Sequence, residues 1–145
     1  MSDRNALSIN LTLSLCYRHG FGALSPFLRA LQEGQTIGSR CPTCGDVRFP
    51  PRRLCLHDGA PTEAHPLGGT GQVVRITTAS VPIPLSTPAQ HHIFAEVALD
   101  GADNRVLARL SGDPGRLHQG SRVRLAPTTG TPLPHPIQAL VFEPY

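Results

Sequence analysis

Lysine and tryptophan are absent from this chain; all thirteen basic residues are arginine. Without lysine, no Schiff base and no lysine general base can form here. Aromatics are scarce, with two Tyr and five Phe, so few platforms exist on which nucleic-acid bases could stack. The formal charge of +3 is mild and lacks the dense basic patch of a nucleic-acid footprint. No apolar run approaches the ~20 residues of a membrane span. Polar residues interrupt each short apolar stretch near the N-terminus, so no signal-peptide core is seen. The expectation is a cytoplasmic protein without membrane or nucleic-acid partners. In that compartment cysteines favour metal over disulfides.

What is abundant points to β structure. Fourteen Gly and fifteen Pro in 145 residues suit a turn-rich fold, not a helical bundle. Leu7, Ile9, Leu11, Leu13 and Leu15 alternate with polar residues, the period of a half-buried strand that pairs with another chain or packs within its own. Ser25-Pro26 suits a helix start, with Ser25 as cap, Phe27, Leu28 and Leu31 as its stripe, and Gly34 as its end. Short strands are expected at 35–40 and 47–49, around a cysteine knuckle. Residues 61–70 read as a linker, with Pro, Gly and Thr and no periodicity.

From Gly71 the pattern is all-β. Strands are expected at 71–81, at 91–100 (Ile93, Ala95, Val97 and Leu99 on one face), at 105–110, at 121–127 and at 137–143. Five short strands with a long break before the fourth fit a small OB-type barrel. The predicted organisation is an N-terminal extension at 1–24, a helix and zinc ribbon at 25–60, a linker at 61–70, and an OB fold at 71–145. The fold class is mainly β.

The stretch CPTCGDVRFPPRRLCLHDG carries the chemistry. Cys41 and Cys44 are spaced to offer two thiolates from one tight turn, and Cys55 opens a second such turn. Zinc wants four ligands. Asp58 stands where the fourth thiolate is due, His57 is one residue early but a good donor, Cys16 is a further thiol, and water is the remaining choice. Arg52 and Arg53 are candidates to offset the anionic ligands. A closed site of this kind is structural, whereas one keeping a water is open to catalysis.

These motifs carry a resemblance. A Pro-started helix with FLRAL, then C-P-T-C-G, F-P-P-R, C-x-x-D-G and G-T-G-x-V, is similar to the acyl-CoA-associated family catalogued as domain of unknown function thirty-five. The departure is Asp58 for Cys. The resemblance covers about residues 21–127 and implies a rubredoxin-like ribbon with a structural zinc, followed by an OB fold; on spacing, the ligands are Cys41, Cys44, Cys55 and Asp58, with Asp58 ahead of His57, Cys16 and water. It also implies an accessory subunit bound to thiolase-like and ketosynthase-like enzymes. Length and N-terminus look closest to small subunits of bacterial acetyltransferases that form 2,4-diacetylphloroglucinol, a C–C bond-forming acylation.

The chain's own residues agree that chemistry lies elsewhere. With three cysteines assigned to metal, Cys16 and His19 are the local Cys–His pair that remains, and their spacing sets them on opposite faces of a strand. His91 and His92 open a strand as surface polar residues. No catalytic residue is assigned. Phe27, Leu28, Phe49 and Leu54 are candidates for a partner interface or for the ribbon's core, and Arg48, Arg52 and Arg53 for contact with an acidic surface or CoA phosphates. Two other readings are an OB-fold nucleic-acid binder and a stand-alone acyl-CoA-binding module.

Overall fold

The computed structural model describes residues 12–16, 20, 22–79, 91–128 and 135–145. A 3-10 turn, Gly22–Leu24, runs into helix α1, Ser25–Gln32. A ribbon sheet follows, built from β1 (Thr36–Arg40), β2 (Val47–Arg48) and β3 (Glu63–Leu67). The barrel comprises β4 (Thr70–Ala79), β5 (His92–Leu99), β6 (Arg105–Leu110), β7 (Arg122–Leu125) and β8 (Val141–Pro144), with a 3-10 turn, Pro136–Ala139, before β8.

In α1, Pro26 lies in the first turn, where its missing N–H costs nothing. Leu24, not Ser25, is the capping residue, and no side chain caps the helix. Phe27, Leu28, Ala30 and Leu31 form the buried stripe. The ribbon sheet has the order β2-β1-β3 and is antiparallel throughout. Residues 61–70, expected as a linker, instead contain β3, which pairs along the whole of β1. β3 is an edge strand that fully buries no side chain and carries Pro66, which an edge tolerates. An apolar alternation was therefore never needed there.

The barrel closes in the order β4-β5-β6-β8-β7, with β6 and β8 parallel and the other pairs antiparallel. This is the expected five-stranded OB-type barrel. Alternation on β5 puts Ile93, Ala95, Val97 and Leu99 inside, as read from the sequence. Val106, Ala108, Leu110, Val123, Leu125 and Phe142 complete that face from the other strands. The fifth strand begins later than expected. Pro136 to Ala139 form a 3-10 turn because His135 Nδ1 accepts the Ile137 N–H at 3.1 Å, leaving Val141–Pro144 as the strand. Of the predicted N-terminal strand, residues 12–16 are in no strand and expose Leu13 and Leu15; residues 7–11 lie outside the described residues. No helix among the described residues is long and apolar enough to cross a membrane.

One apolar cluster runs from α1 through Phe49 into the barrel. The Phe27 and Phe49 rings meet edge to face at 5.7 Å, a favoured aromatic geometry. The turn between β5 and β6 then grips β2 from the other side. Phe49 N–H donates to Asn104 Oδ1 at 2.9 Å, and Asn104 Nδ2 donates to Phe49 O at 2.8 Å. Val47 N–H donates to Asp103 Oδ2 at 2.7 Å, and Asp103 N–H donates to Val47 O at 2.8 Å. Three of the candidate interface residues, Phe27, Leu28 and Phe49, are thus spent on this shared core.

Truncating Asn104 strips both hydrogen bonds from the backbone of a buried residue. Asn104→Ala is expected to cost about 1–3 kcal/mol, read as a lower denaturant midpoint at unchanged slope. An unchanged midpoint would remove Asn104 from this role.

Candidate metal centre

The two halves of the cysteine segment fold alike. Cys41 N–H donates to Asp46 O at 2.9 Å, and Gly45 N–H donates back to Cys41 O at 2.9 Å. Fourteen positions on, Cys55 N–H donates to Ala60 O at 2.8 Å, and Gly59 N–H donates to Cys55 O at 3.1 Å. Gly45 and Gly59 have φ of 79° and 70°, the left-handed conformation glycine adopts without a steric penalty. Cys-Pro-Thr-Cys-Gly and Cys-Leu-His-Asp-Gly are therefore copies of one knuckle. Asp58 occupies in the second the place Cys44 holds in the first.

The result is a cluster. One ligand atom from each of Cys41, Cys44, Cys55 and Asp58 lies within 4.8 Å of all the others. Cys44 Sγ is 3.5 Å from Cys55 Sγ, and Cys41 Sγ is 3.4 Å from Asp58 Oδ2. A tetrahedral zinc with ordinary bond lengths spans edges of about 3.8 Å between two sulfurs and about 3.5 Å between sulfur and oxygen. The observed separations fit that ion. At 3.5 Å the sulfurs are too far apart for a disulfide, whose bond is about 2.05 Å. Cys41 and Cys55 are buried, while Cys44 and Asp58 are exposed, so the site lies at the tip of the ribbon.

Local polarity prepares part of the set. A backbone hydrogen bond with Cys44 holds the Cys41 thiol below its usual value, against the opposing effect of burial. Asp58 is held low first by the Ala60 N–H, which donates to its Oδ1 at 2.9 Å, again against burial. For Cys44 the backbone hydrogen bond with Asp46 favours the thiolate, but Cys55, burial and Cys41 outweigh it and push the thiol up to about 11. Crowded thiolates repel one another until a cation sits among them. His57 N–H also donates to Cys55 Sγ at 3.4 Å.

The other candidates lie elsewhere. The His57 ring is 61% exposed and turns to Asp46, with Nε2 at 3.6 Å from Oδ1. Cys16 is exposed on the 12–16 segment and is not in the cluster. Arg52 and Arg53, expected beside the anions, instead line an open hollow with Pro26, Ile37 and Thr62 between α1 and the ribbon. Among the described residues, a cation near the cluster is Arg48, paired to Asp46 at 2.7 Å and raised chiefly by that carboxylate, with the Cys55 charge contributing. The sequence signal for Asp58 was its spacing, three positions after Cys55 and just before Gly59, as Cys44 stands to Cys41 and Gly45. Asp46, which joins the first knuckle to Arg48 and His57, had no sequence mark of its own.

Comparison with known proteins follows the same division. Residues 29–63 match the ChsH2 rubredoxin-like zinc ribbon domain. A solved structure described as the Ltp2-ChsH2(DUF35) aldolase is similar over 88% of this chain and 98% of that one, at 26% identity and a TM-score of 0.67. A DUF35-family protein of unknown function from Sulfolobus solfataricus is similar over 89% of this chain and 90% of its own, at 18% identity and a TM-score of 0.64. At that identity the second likeness is one of fold. No curated protein matches the chain.

Purified protein is expected to carry one zinc per chain. Even outer partners of a metal ligand are worth about 10–100-fold in affinity, so Asp58→Ala should weaken zinc binding at least that far in chelator competition. Asp58→Cys should retain the metal, and His57→Ala and Cys16→Ser should leave affinity unchanged. Wild-type affinity in Asp58→Ala would place the fourth ligand elsewhere.

Proposed function

Given a rubredoxin-like zinc ribbon joined to an OB-fold barrel of the DUF35 type, we propose that this chain is a non-catalytic accessory subunit of a thiolase-like acyltransferase complex. The observation that carries the reading is the likeness, over 88% of this chain and 98% of the other, to a chain of the structure described as the Ltp2-ChsH2(DUF35) aldolase, a description that names two components. The zinc, held by Cys41, Cys44, Cys55 and Asp58, is structural in this reading, because four protein ligands leave no open position for substrate.

Acyl transfer through a thioester needs an activated thiolate, a base beside it and donors for the oxyanion. Three of the four cysteines are drawn into the ribbon. Cys16 is exposed, and its proposed companion His19 lies outside the described residues. The partner enzymes, thiolase-like and ketosynthase-like, supply the nucleophile, and this chain holds them in register. The reaction is acetyl transfer onto a phloroglucinol-type ring, from monoacetylphloroglucinol to 2,4-diacetylphloroglucinol. At the ribbon tip, Leu54 and Leu56 are 56% and 59% exposed beside Cys55 and are the ribbon's free apolar contacts.

Co-expression with the thiolase-like and ketosynthase-like neighbours is expected to yield a complex that purifies intact and converts monoacetylphloroglucinol. Cys16→Ser should keep the full rate within that complex. Turnover of an acyl donor by the isolated chain would overturn the proposal.

A further inference from the structure

The outer wall of the barrel carries a second feature, on the face of β4, β5 and β6. Strand register makes it a grid: Phe94 lies between Thr77 and Arg109, Glu96 between Arg75 and Leu107, and Ala98 beside Arg105. Leu107 is 67% exposed, at a position where the alternation of β6 calls for a polar residue. It shares a shallow hollow with Phe94 and with Ile137 of the 3-10 turn before β8. One exposed leucine needs no explanation; an apolar centre ringed by Arg75, Arg105 and Arg109 does.

The polar atoms of this face are also incomplete. Glu96 Oε2 is shielded from solvent yet has no hydrogen-bond donor. Its nearest cations are Arg75 Nη1 at 3.9 Å and Arg105 Nη1 at 3.7 Å. His92 Nε2, two positions before Phe94, is likewise shielded and without a partner. Shielded polar atoms without a hydrogen bond are rare in finished surfaces. Here both flank the one aromatic side chain of the face.

We propose that this face is the docking site for the thiolase-like partner, through a surface with an apolar centre and a carboxylate-rich rim. The inference rests on the accessory-subunit reading and adds where the barrel is held. Three arginines against one glutamate call for an acidic rim. The same charge repels a second copy of the chain. Glu96, beside Leu107 in the register, repels phosphates and is ion-paired to Arg75 and Arg105, which disfavours a nucleic acid. The grid measures about 10 by 14 Å from strand spacing and rise, so it is the centre of a larger contact, where binding energy concentrates.

The test uses the full chain co-expressed with its thiolase-like neighbour. Leu107→Glu is expected to lower affinity at least about tenfold, as expected for a hot-spot residue, with zinc content and melting temperature unchanged. Leu107→Met should restore it. Arg109→Glu should weaken the complex and reduce its sensitivity to salt. Wild-type affinity in both Leu107→Glu and Arg109→Glu overturns the docking face while leaving the accessory reading standing. A wild-type chain that captures no thiolase-like partner overturns both. Two results would give the face to another occupant and end the proposal. One is salt-sensitive binding of single-stranded oligothymidine that Arg109→Glu abolishes; the other is a dimer of the isolated chain that Leu107→Glu dissolves.

Discussion

The backbone of Phe49 is held at both its amide and its carbonyl by Asn104, and the rest of the molecule is arranged around that grip. A ribbon of about 35 residues is below the size that buries a self-sufficient core. It needs a staple at each end. The metal ligands are one staple, at the tip. The other is Phe49, whose amide and carbonyl are both satisfied by Asn104 while its ring packs edge to face on Phe27. The amide of a buried residue left without partners would cost free energy. The Asp103-Asn104 turn therefore acts as a further strand on β2. Helix, ribbon and barrel then share one core, and a force applied at the ribbon tip reaches the barrel through packed groups.

That rigidity bears on the metal site. Aspartate and cysteine ligands are both monoanions, so Asp58 in place of a thiolate leaves the charge around a divalent ion unchanged. What changes is softness and reach. A carboxylate is a harder donor than a thiolate and binds at a shorter distance. The knuckle backbone does not change to suit it: the hydrogen bonds from Cys55 and Gly59 repeat those from Cys41 and Gly45. The Ala60 N–H orients the carboxylate instead, in the manner of the outer-shell partners that fix metal ligands. A preformed backbone thus accepts the substitution without a change of fold.

Much of this was legible beforehand, for identifiable reasons. The barrel strands announce themselves because one face is buried and the other wet, so Ile93 to Leu99 alternate cleanly. β3 did not, because an edge strand that fully buries nothing has no period to read. Ser25 looked like a cap by residue type, yet Leu24 precedes the helix and the hydroxyl caps nothing. Cys41, Cys44 and Cys55 were plain from spacing. Asp58 ranked ahead of His57 on spacing alone, and the His57 ring is turned to Asp46. Phe27, Leu28 and Phe49 could have faced a partner or a core. Local sequence cannot decide that, because the answer lies in Asp103 and Asn104, more than fifty residues away.

The distribution of leftover apolar surface then argues for a bridge. The core consumes Phe27, Leu28 and Phe49, so these cannot also hold a partner. What stays exposed on the described residues of ribbon and barrel falls in separate places, including Leu54 and Leu56 beside the second knuckle and Leu107 with Ile137 on the barrel wall. A protein serving a single small ligand would gather its apolar groups into one enclosed pocket. Apolar groups spread over two elements of one rigid body suit larger bodies, each meeting its own element. The stiffness supplied through Phe49 is what would let contact at one patch set the position of whatever binds the other.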